Sequence, residues 1–264
     1  MRFKIQLTGK SKVQLLPVDY QYYIGAWIYK IIGNANHEFA SFFHSEGYSD
    51  GNKRFKLFNY SPLDFGIPKL WKERSLFELQ TEKVFLTVSF SLNEAAENFI
   101  IGLFNRQEVF LGNHFNGIDF LVTQVERLAD EVVQNTMVYK AASPVVVSIF
   151  NEGDKYAQYL APGYVNYFEL LRQHLVQKYN TIPGVSPNAG DLGIGFMLLN
   201  TPKSKLVTIK PGTKQQSKIR GYVYDFEMTA SPEIHKLILN AGLGEKNSMG
   251  FGWVEVINER SFKP

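Results

Sequence analysis

Twice along this chain the apolar positions switch between a two-residue period and helical spacing in one order: strand, helix, two strands, helix, strand. That order constrains the fold more than composition does. Each strand–helix–strand passage must cross one face of a sheet, and consecutive strands tend to lie side by side. In the first pass, Phe3, Ile5 and Leu7 alternate with Arg2, Lys4 and Gln6 over residues 1–7, as in a half-buried strand. Residues 18–32 place Tyr22, Ala26, Tyr29 and Ile32 on or near one helical stripe, and a shorter helix is expected over 38–44. The turn-rich loop GYSDGN at 47–52 leads to a strand at 55–60, stopped by Pro62. Strand material follows within 76–90, clearest at 84–88. A helix with Ala95, Phe99, Ile100 and Leu103 apolar is expected over 93–105, then more strand material within 109–125.

The second pass begins after a junction near residues 127–135. Residues 132–140 and 145–150 read as extended, and 162–179 as a helix with Leu170, Leu171 and Leu175 apolar. A loop rich in Pro and Gly occupies 183–190, and strands are expected at 196–209 and 221–228. Ser231 as N-cap and Pro232 at the first helical position open a helix ending near Asn240, and residues 251–257 close as a strand. The expectation is an α+β chain of two tandem ferredoxin-like (RRM-like) βαββαβ domains, 1–130 and 131–264. RRM modules use this unit to lay RNA on a sheet face, although architecture alone names no function.

Composition excludes several chemistries. With no cysteine, disulfides, thiolate nucleophiles and cysteine metal sites are impossible. The opening MRFKIQL carries no apolar run fit for a signal peptide, and no stretch approaches the roughly 18 apolar residues of a membrane span. A cytoplasmic protein without membrane partners is expected. No His pair has metalloprotease spacing, so no metal is expected, and no Gly-x-Ser-x-Gly elbow marks a hydrolase. A net charge of +3 is too small to argue for nucleic acid by itself. Its distribution says more: Lys203, Lys205, Lys210, Lys214, Lys218 and Arg220 fall in one segment without an acidic residue.

The most specific segment is NAGLGEKNSMGFGWV at 240–254, with Gly242, Gly244, Gly250 and Gly252 between a helix and a strand and Lys246 inside. Two readings are open. Gly242 could be a helix C-cap followed by a tight turn. Alternatively, the glycines could let successive N–H groups face phosphate oxygens, with Lys246 adding a point charge. The order helix–loop–strand is the reverse of the dinucleotide-binding fingerprint.

This segment resembles the signature of the RAMP superfamily, in particular its CRISPR repeat endoribonucleases. MRFKIQL, QYYIGAWIYKII and FKLFNYSPL resemble the same family's opening. The resemblance covers both ends well and the middle poorly. It implies metal-independent cleavage of precursor repeat RNA without a cofactor. The 2′-OH attacks the adjacent phosphate, leaving a 2′,3′-cyclic phosphate and a 5′-OH and yielding guide RNAs. It implies CRISPR repeat RNA as partner, other effector-complex subunits as further partners, and a monomer or homodimer.

The resemblance also nominates His44, Tyr29 and Lys56 as catalytic. An imidazole can take or give a proton near neutral pH, a cation can stabilise charge on the phosphorane, and a tyrosine hydroxyl can orient the nucleophile or share in proton transfer. His37 is the rival to His44, while His114, His174 and His235 read as structural or surface residues. Plainer roles stand beside these: Tyr29 as a core residue, His44 as a partner of a helix C-terminus, Lys56 as a solvent-facing strand residue. The glycines, Lys246 and the six cations of 203–220 are expected to contact RNA. The alternatives are a non-cleaving RNA-binding subunit of an effector complex and, further off, a nucleotide enzyme using the glycine loop as a phosphate cradle.

Overall fold

A computed structural model of the protein describes residues 1–11, 14–153, 155–185 and 193–257. Part of the expected 183–190 loop, residues 186–190, lies outside them. Two antiparallel sheets with helices against them form tandem ferredoxin-like domains. In the first, β1 (Arg2–Gly9) is central, as its alternation demands: Phe3, Ile5 and Leu7 are buried while Lys4 is exposed. It pairs with β3 (Lys83–Phe90) on one side and β5 (Gly117–Leu128) on the other; β2 (Phe58–Tyr60) and β4 (Glu108–Gly112) are the edges. Helices α1 (Gln21–Ala35), α2 (His37–Ser45) and α3 (Asn93–Asn105) contribute to the first core. α1 and α3 cross closely at Gly102, where a Cβ would lie 1.9 Å from the Ile31 carbonyl oxygen.

The second sheet has the order β7–β10–β6–β11, from β6 (Thr136–Ala141), β7 (Gly195–Leu198), β10 (Asp225–Thr229) and β11 (Val254–Val256). Its helices are α4 (Tyr167–Asn180) and α5 (Pro232–Ala241). Between β7 and β10 projects a separate hairpin of β8 (Lys203–Ile209) and β9 (Ser217–Val223).

The structure corrects several boundaries. The expected strand 196–209 is two strands in different sheets, broken near Pro202, which has no N–H to donate. Asn200 holds the break, accepting from the Asp225 amide and donating to the Asp225 carboxylate. Likewise 221–228 divides at Tyr224. The expected strand 55–60 breaks at Leu57, whose φ of 50° belongs to no strand. Residues 145–150 keep only a bridge at Val145 and a two-residue pairing, Ser148–Ile149 with Gln158–Tyr159. The helix expected from 162 begins at Tyr167 and the strand expected from 132 at Thr136. Ser231 occupies the N-cap with extended backbone, but its side chain makes no cap hydrogen bond.

The halves interlock. A hairpin of Tyr48–Asp50 with Lys53–Phe55 leaves the first half to meet α4. Phe55 and Leu57 are buried in the second core, and the Phe55 ring lies 5.2 Å from that of His174. The break at Leu57 thus lets Phe55 and Leu57 serve one core and Phe58 and Tyr60 the other.

Candidate active site

Tyr29, His44 and Lys56 come from three elements and meet at one place. Asn36 opens α2, its side-chain oxygen accepting from the Phe39 amide at 3.0 Å. The helix runs far enough to put His44 in its last turn, exposed, with its ring 4.9 Å edge-on from that of Tyr29. Tyr29 lies on the partly buried edge of α1, packed also against Phe43 and Phe58. The 48–55 hairpin then brings two cations under the end of α2. Lys56 Nζ donates to the His44 carbonyl at 2.7 Å and Arg54 Nη1 to the Ser45 carbonyl at 3.1 Å. These carbonyls have no partner within the helix, so the two side chains satisfy its C-terminus and anchor the backbone that carries the imidazole.

Burial and charge tune two of the three groups. Burial pushes the Tyr29 hydroxyl up to about 12, against a hydrogen bond with the Ser248 side chain that pulls it down. Tyr29 therefore stays a proton donor across the physiological range. Burial, and then the neighbouring Arg54 charge, pull the Lys56 ammonium down to about 8, with Glu46 acting against them.

Ser248 belongs to the glycine-rich segment, which packs between the halves. Gln21 on α1 donates to the Gly250 carbonyl, and Asn59 on β2 donates to the Phe251 carbonyl at 3.2 Å. Most of the glycine amides face inward. Gly242 donates to Ile238, Gly250 to Asn247 and Gly252 to the Pro144 carbonyl, so the amides of these three are not offered to phosphate. Their positive φ angles serve the turn itself: Gly252, at φ 69°, sits where a Cβ would lie 1.8 Å from the Leu243 oxygen. Gly244 is also buried, its ideal Cβ position 2.5 Å from the Val146 oxygen. The partly exposed residues of the turn are Glu245, Lys246, at φ 59°, Ser248 and Met249. Lys246, Asn247 and Ser248 line a small cleft together with Arg54, Lys56, His174 and Lys178.

The six cations of the hairpin are not one patch. Directly paired residues share a face of an antiparallel ladder. Lys203 and Lys205 therefore project with Ile219, while Lys218 and Arg220 project from the other side. Ile219 is buried against Val146 and Phe251, which docks the hairpin on the glycine segment. Lys210, at φ 50°, and Lys214 belong to the tip, where Lys210 Nζ meets Gln215 Oε1 at 2.5 Å. His37, at the first position of α2, and His114 are exposed. His235 is buried, its Nδ1 2.8 Å from the Tyr139 hydroxyl. Among the described residues no three His, Asp or Glu side chains gather as a metal site, and no helix is long and apolar enough to cross a membrane.

Sequence reasoning missed Arg54, Ser248 and Lys178, and read His174, which is buried beside the cleft, as a structural or surface residue. Arg54 was legible as the residue two before Lys56 in an extended segment. Lys178 was legible as a cation on the apolar stripe of Leu171 and Leu175. Ser248 carried no signal beyond its place among the glycines.

Two family models match the chain: CRISPR-associated protein Cas6, N-terminal, over residues 15–126, and CRISPR associated protein Cas6, C-terminal, over 128–256. The chain is 27% identical to the CRISPR-associated endoribonuclease Cas6 of Pyrococcus furiosus, covering 100% of this chain and 92% of that one. It is also 27% identical to the CRISPR-associated endoribonuclease Cas6 1 of Methanocaldococcus jannaschii, covering 100% and 95%. Among solved structures, that of a Cas6-related gene from Pyrococcus furiosus superposes with a TM-score of 0.82 at 24% identity, over 98% of this chain and 99% of that one. That last likeness is one of fold.

Proposed function

Since the chain belongs to the Cas6 family of CRISPR-associated proteins, whose relatives include CRISPR-associated endoribonucleases, we propose that it cuts CRISPR repeat RNA within the precursor transcript without a metal. The observation that carries this reading is the meeting of Tyr29, exposed His44 and Lys56 beside a basic cleft lined by Lys246 and Ser248. The ribose 2′-oxygen attacks the neighbouring phosphorus as its proton passes to His44, and the bond to the 5′-oxygen breaks. The products are a 2′,3′-cyclic phosphate and a 5′-OH. Tyr29, a donor up to about pH 12, is suited to protonating the leaving oxygen or hydrogen-bonding a phosphate oxygen, which leaves His44 as the base. Lys56 and Lys246 offset charge growing on the phosphorane.

Lys203, Lys205, Lys210, Lys214, Lys218 and Arg220 are proposed to hold the RNA backbone. One nucleic-acid strand can meet only one face of their hairpin at a time. The division of labour places catalysis in residues 1–130 and the glycine turn in 131–264, in a cytoplasmic protein that works alone, as a homodimer or beside other effector subunits.

The test is cleavage of a cognate repeat RNA in excess EDTA. Cleavage is expected to persist in the chelator and to stop when one 2′-deoxyribose replaces the sugar before the cut. Full cutting of the deoxy substrate would rule out the mechanism. Tight binding with no product would instead make the protein an RNA-binding subunit.

The Lys56 charge sets a second expectation. Its ammonium loses a proton as pH rises through about 8, so any help it gives is complete below that value and fades above it. Single-turnover rates are expected to decline on the alkaline side of about pH 8. Lys56→Arg, which keeps its charge, should hold the plateau to higher pH. Identical alkaline limbs in both proteins would remove Lys56 from the charge-stabilising role.

A further inference from the structure

Behind the glycine turn lies a group that the reaction scheme above does not use. Lys178, in the last turn of α4, is 2% exposed, yet it carries an ammonium with three donors and no acceptor. All three donors are matched by oxygens of one turn. Nζ lies 2.7 Å from the Gly242 carbonyl, 3.2 Å from the Gly244 carbonyl and 2.6 Å from Asn247 Oδ1. Asn247 in turn donates through Nδ2 to the Leu243 and Phe251 carbonyls, at 3.1 and 2.9 Å. The turn is thus wound around one cation and one amide, its carbonyls drawn inward.

The residue after Asn247 is Ser248, whose carbonyl packs on α1 at Gly25, one turn from Tyr29, and whose hydroxyl acts to lower the Tyr29 pKa. We propose that Lys178 is a positioning residue for RNA cleavage: its ammonium fixes the glycine turn so that Ser248 holds Tyr29 beside His44. The inference rests on the nuclease reading above.

Two physical points favour this over a purely architectural role. Burying a lysine charge is costly, and an apolar side chain of similar volume would fill the same space. A cation with three fixed oxygen partners instead specifies one arrangement of the turn. Moreover, only Asn247 and Ser248 separate Lys178 from α1, the helix that carries Tyr29.

The charged and titratable neighbours are few. His174 lies one helical turn away and is kept neutral, its pKa pushed well down by burial and then by Lys178 and Lys53. Glu245, held by the Ser148 amide and hydroxyl at 2.7 and 2.8 Å, favours the ammonium. Arg54, Lys56 and Lys246 line the same cleft from the other elements. Burial brings the Lys178 ammonium down to about 7 against the Glu245 attraction, so the clasp is charged below neutrality and loosens above it.

The experiment is a double-mutant cycle on single-turnover cleavage with Lys178→Met and Ser248→Ala, alongside affinity for the uncleavable 2′-deoxy RNA. Lys178→Met is expected to lower the rate roughly 10- to 100-fold, the scale of a small misplacement at a reacting centre, with affinity changed by less than about 3-fold. The double mutant should be no slower than the slower single, because both substitutions break one chain of contacts. Rate losses that multiply, or a folded Lys178→Met protein at full rate, would overturn the proposal.

If Lys178→Met does not fold, the wild-type protein supplies the answer by NMR. The Ser248 amide resonance is expected to move with the Lys178 15Nζ resonance as pH is raised through about 7, and a Ser248 signal that ignores that titration would equally overturn it. The NMR arm needs no activity, so a wild-type protein that fails to cut would sink the nuclease reading while leaving the clasp to be judged separately.

Discussion

Replacing His44 with alanine is expected to slow cleavage of the repeat RNA by roughly 10²–10⁴-fold, the usual worth of a general acid or base, while leaving Tm close to that of the parent protein. The separation of the two effects follows from where the residue sits. Its side chain is exposed at the end of α2, and its contacts are with Tyr29 rather than with the core. The interaction that anchors this helix end runs from Lys56 to the His44 backbone carbonyl, which alanine keeps. Alanine is also a good helix former. His37→Ala is the control. Seven residues earlier on the same helix, it is about 10 Å away along the axis and outside reach of the same phosphate. Rates and melting curves of the two variants decide the matter. A fast His44→Ala enzyme, or a slow His37→Ala enzyme, would move the base elsewhere.

The second large effect concerns stability. Gly252→Ala is expected to cost about 3–5 kcal/mol, combining a strained positive φ with a forced overlap in a packed interior. For a protein of this size that corresponds to a fall in Tm of roughly 10 °C. The added Cβ would lie 1.8 Å from the Leu243 oxygen and 2.8 Å from Asn247 Nδ2, and the first of these is backbone that cannot swing away. Gly212→Ala isolates the strain alone. Its φ is 70°, nearly that of Gly252, but nothing lies within 4 Å of its Cβ position. It should melt within a few degrees of the parent protein. Equal losses from both variants would show that backbone strain, not the close approach, is what the glycine turn cannot tolerate.

The element order was legible because each strand and helix buries one face, and a buried face leaves its period in the chain. Residues 93–105 read as a helix and are α3; residues 1–7 read as a strand and form most of β1. Boundaries failed where one run of apolar residues serves two structures. Residues 196–209 look continuous, but half joins the core sheet and half the projecting hairpin; residues 55–60 divide their side chains between two cores. The glycine segment was legible as a place of unusual backbone, though not as to which way its amides face. Spacing reports where positive φ is needed, and only packing against Pro144, Asn247 and Val146 decides that most of them turn inward. Tyr29, His44 and Lys56 could be nominated only by resemblance. They lie on separate elements, and no period links them. The clasp by Lys178 depends on three oxygens more than sixty residues away in sequence.

The placement of Phe55 and Leu57 in the far core has a consequence for synthesis. A ribosome releases Tyr29, His44 and Lys56 early, yet the hairpin that leads into Lys56 has no apolar ground to rest on until α4 is made, and Tyr29 has no Ser248 until the glycine segment arrives. An unfinished polypeptide therefore carries all three candidate residues while lacking the frame that aligns them. The candidate site is assembled only after the glycine segment has been made, and chains that end before it are expected not to cut RNA.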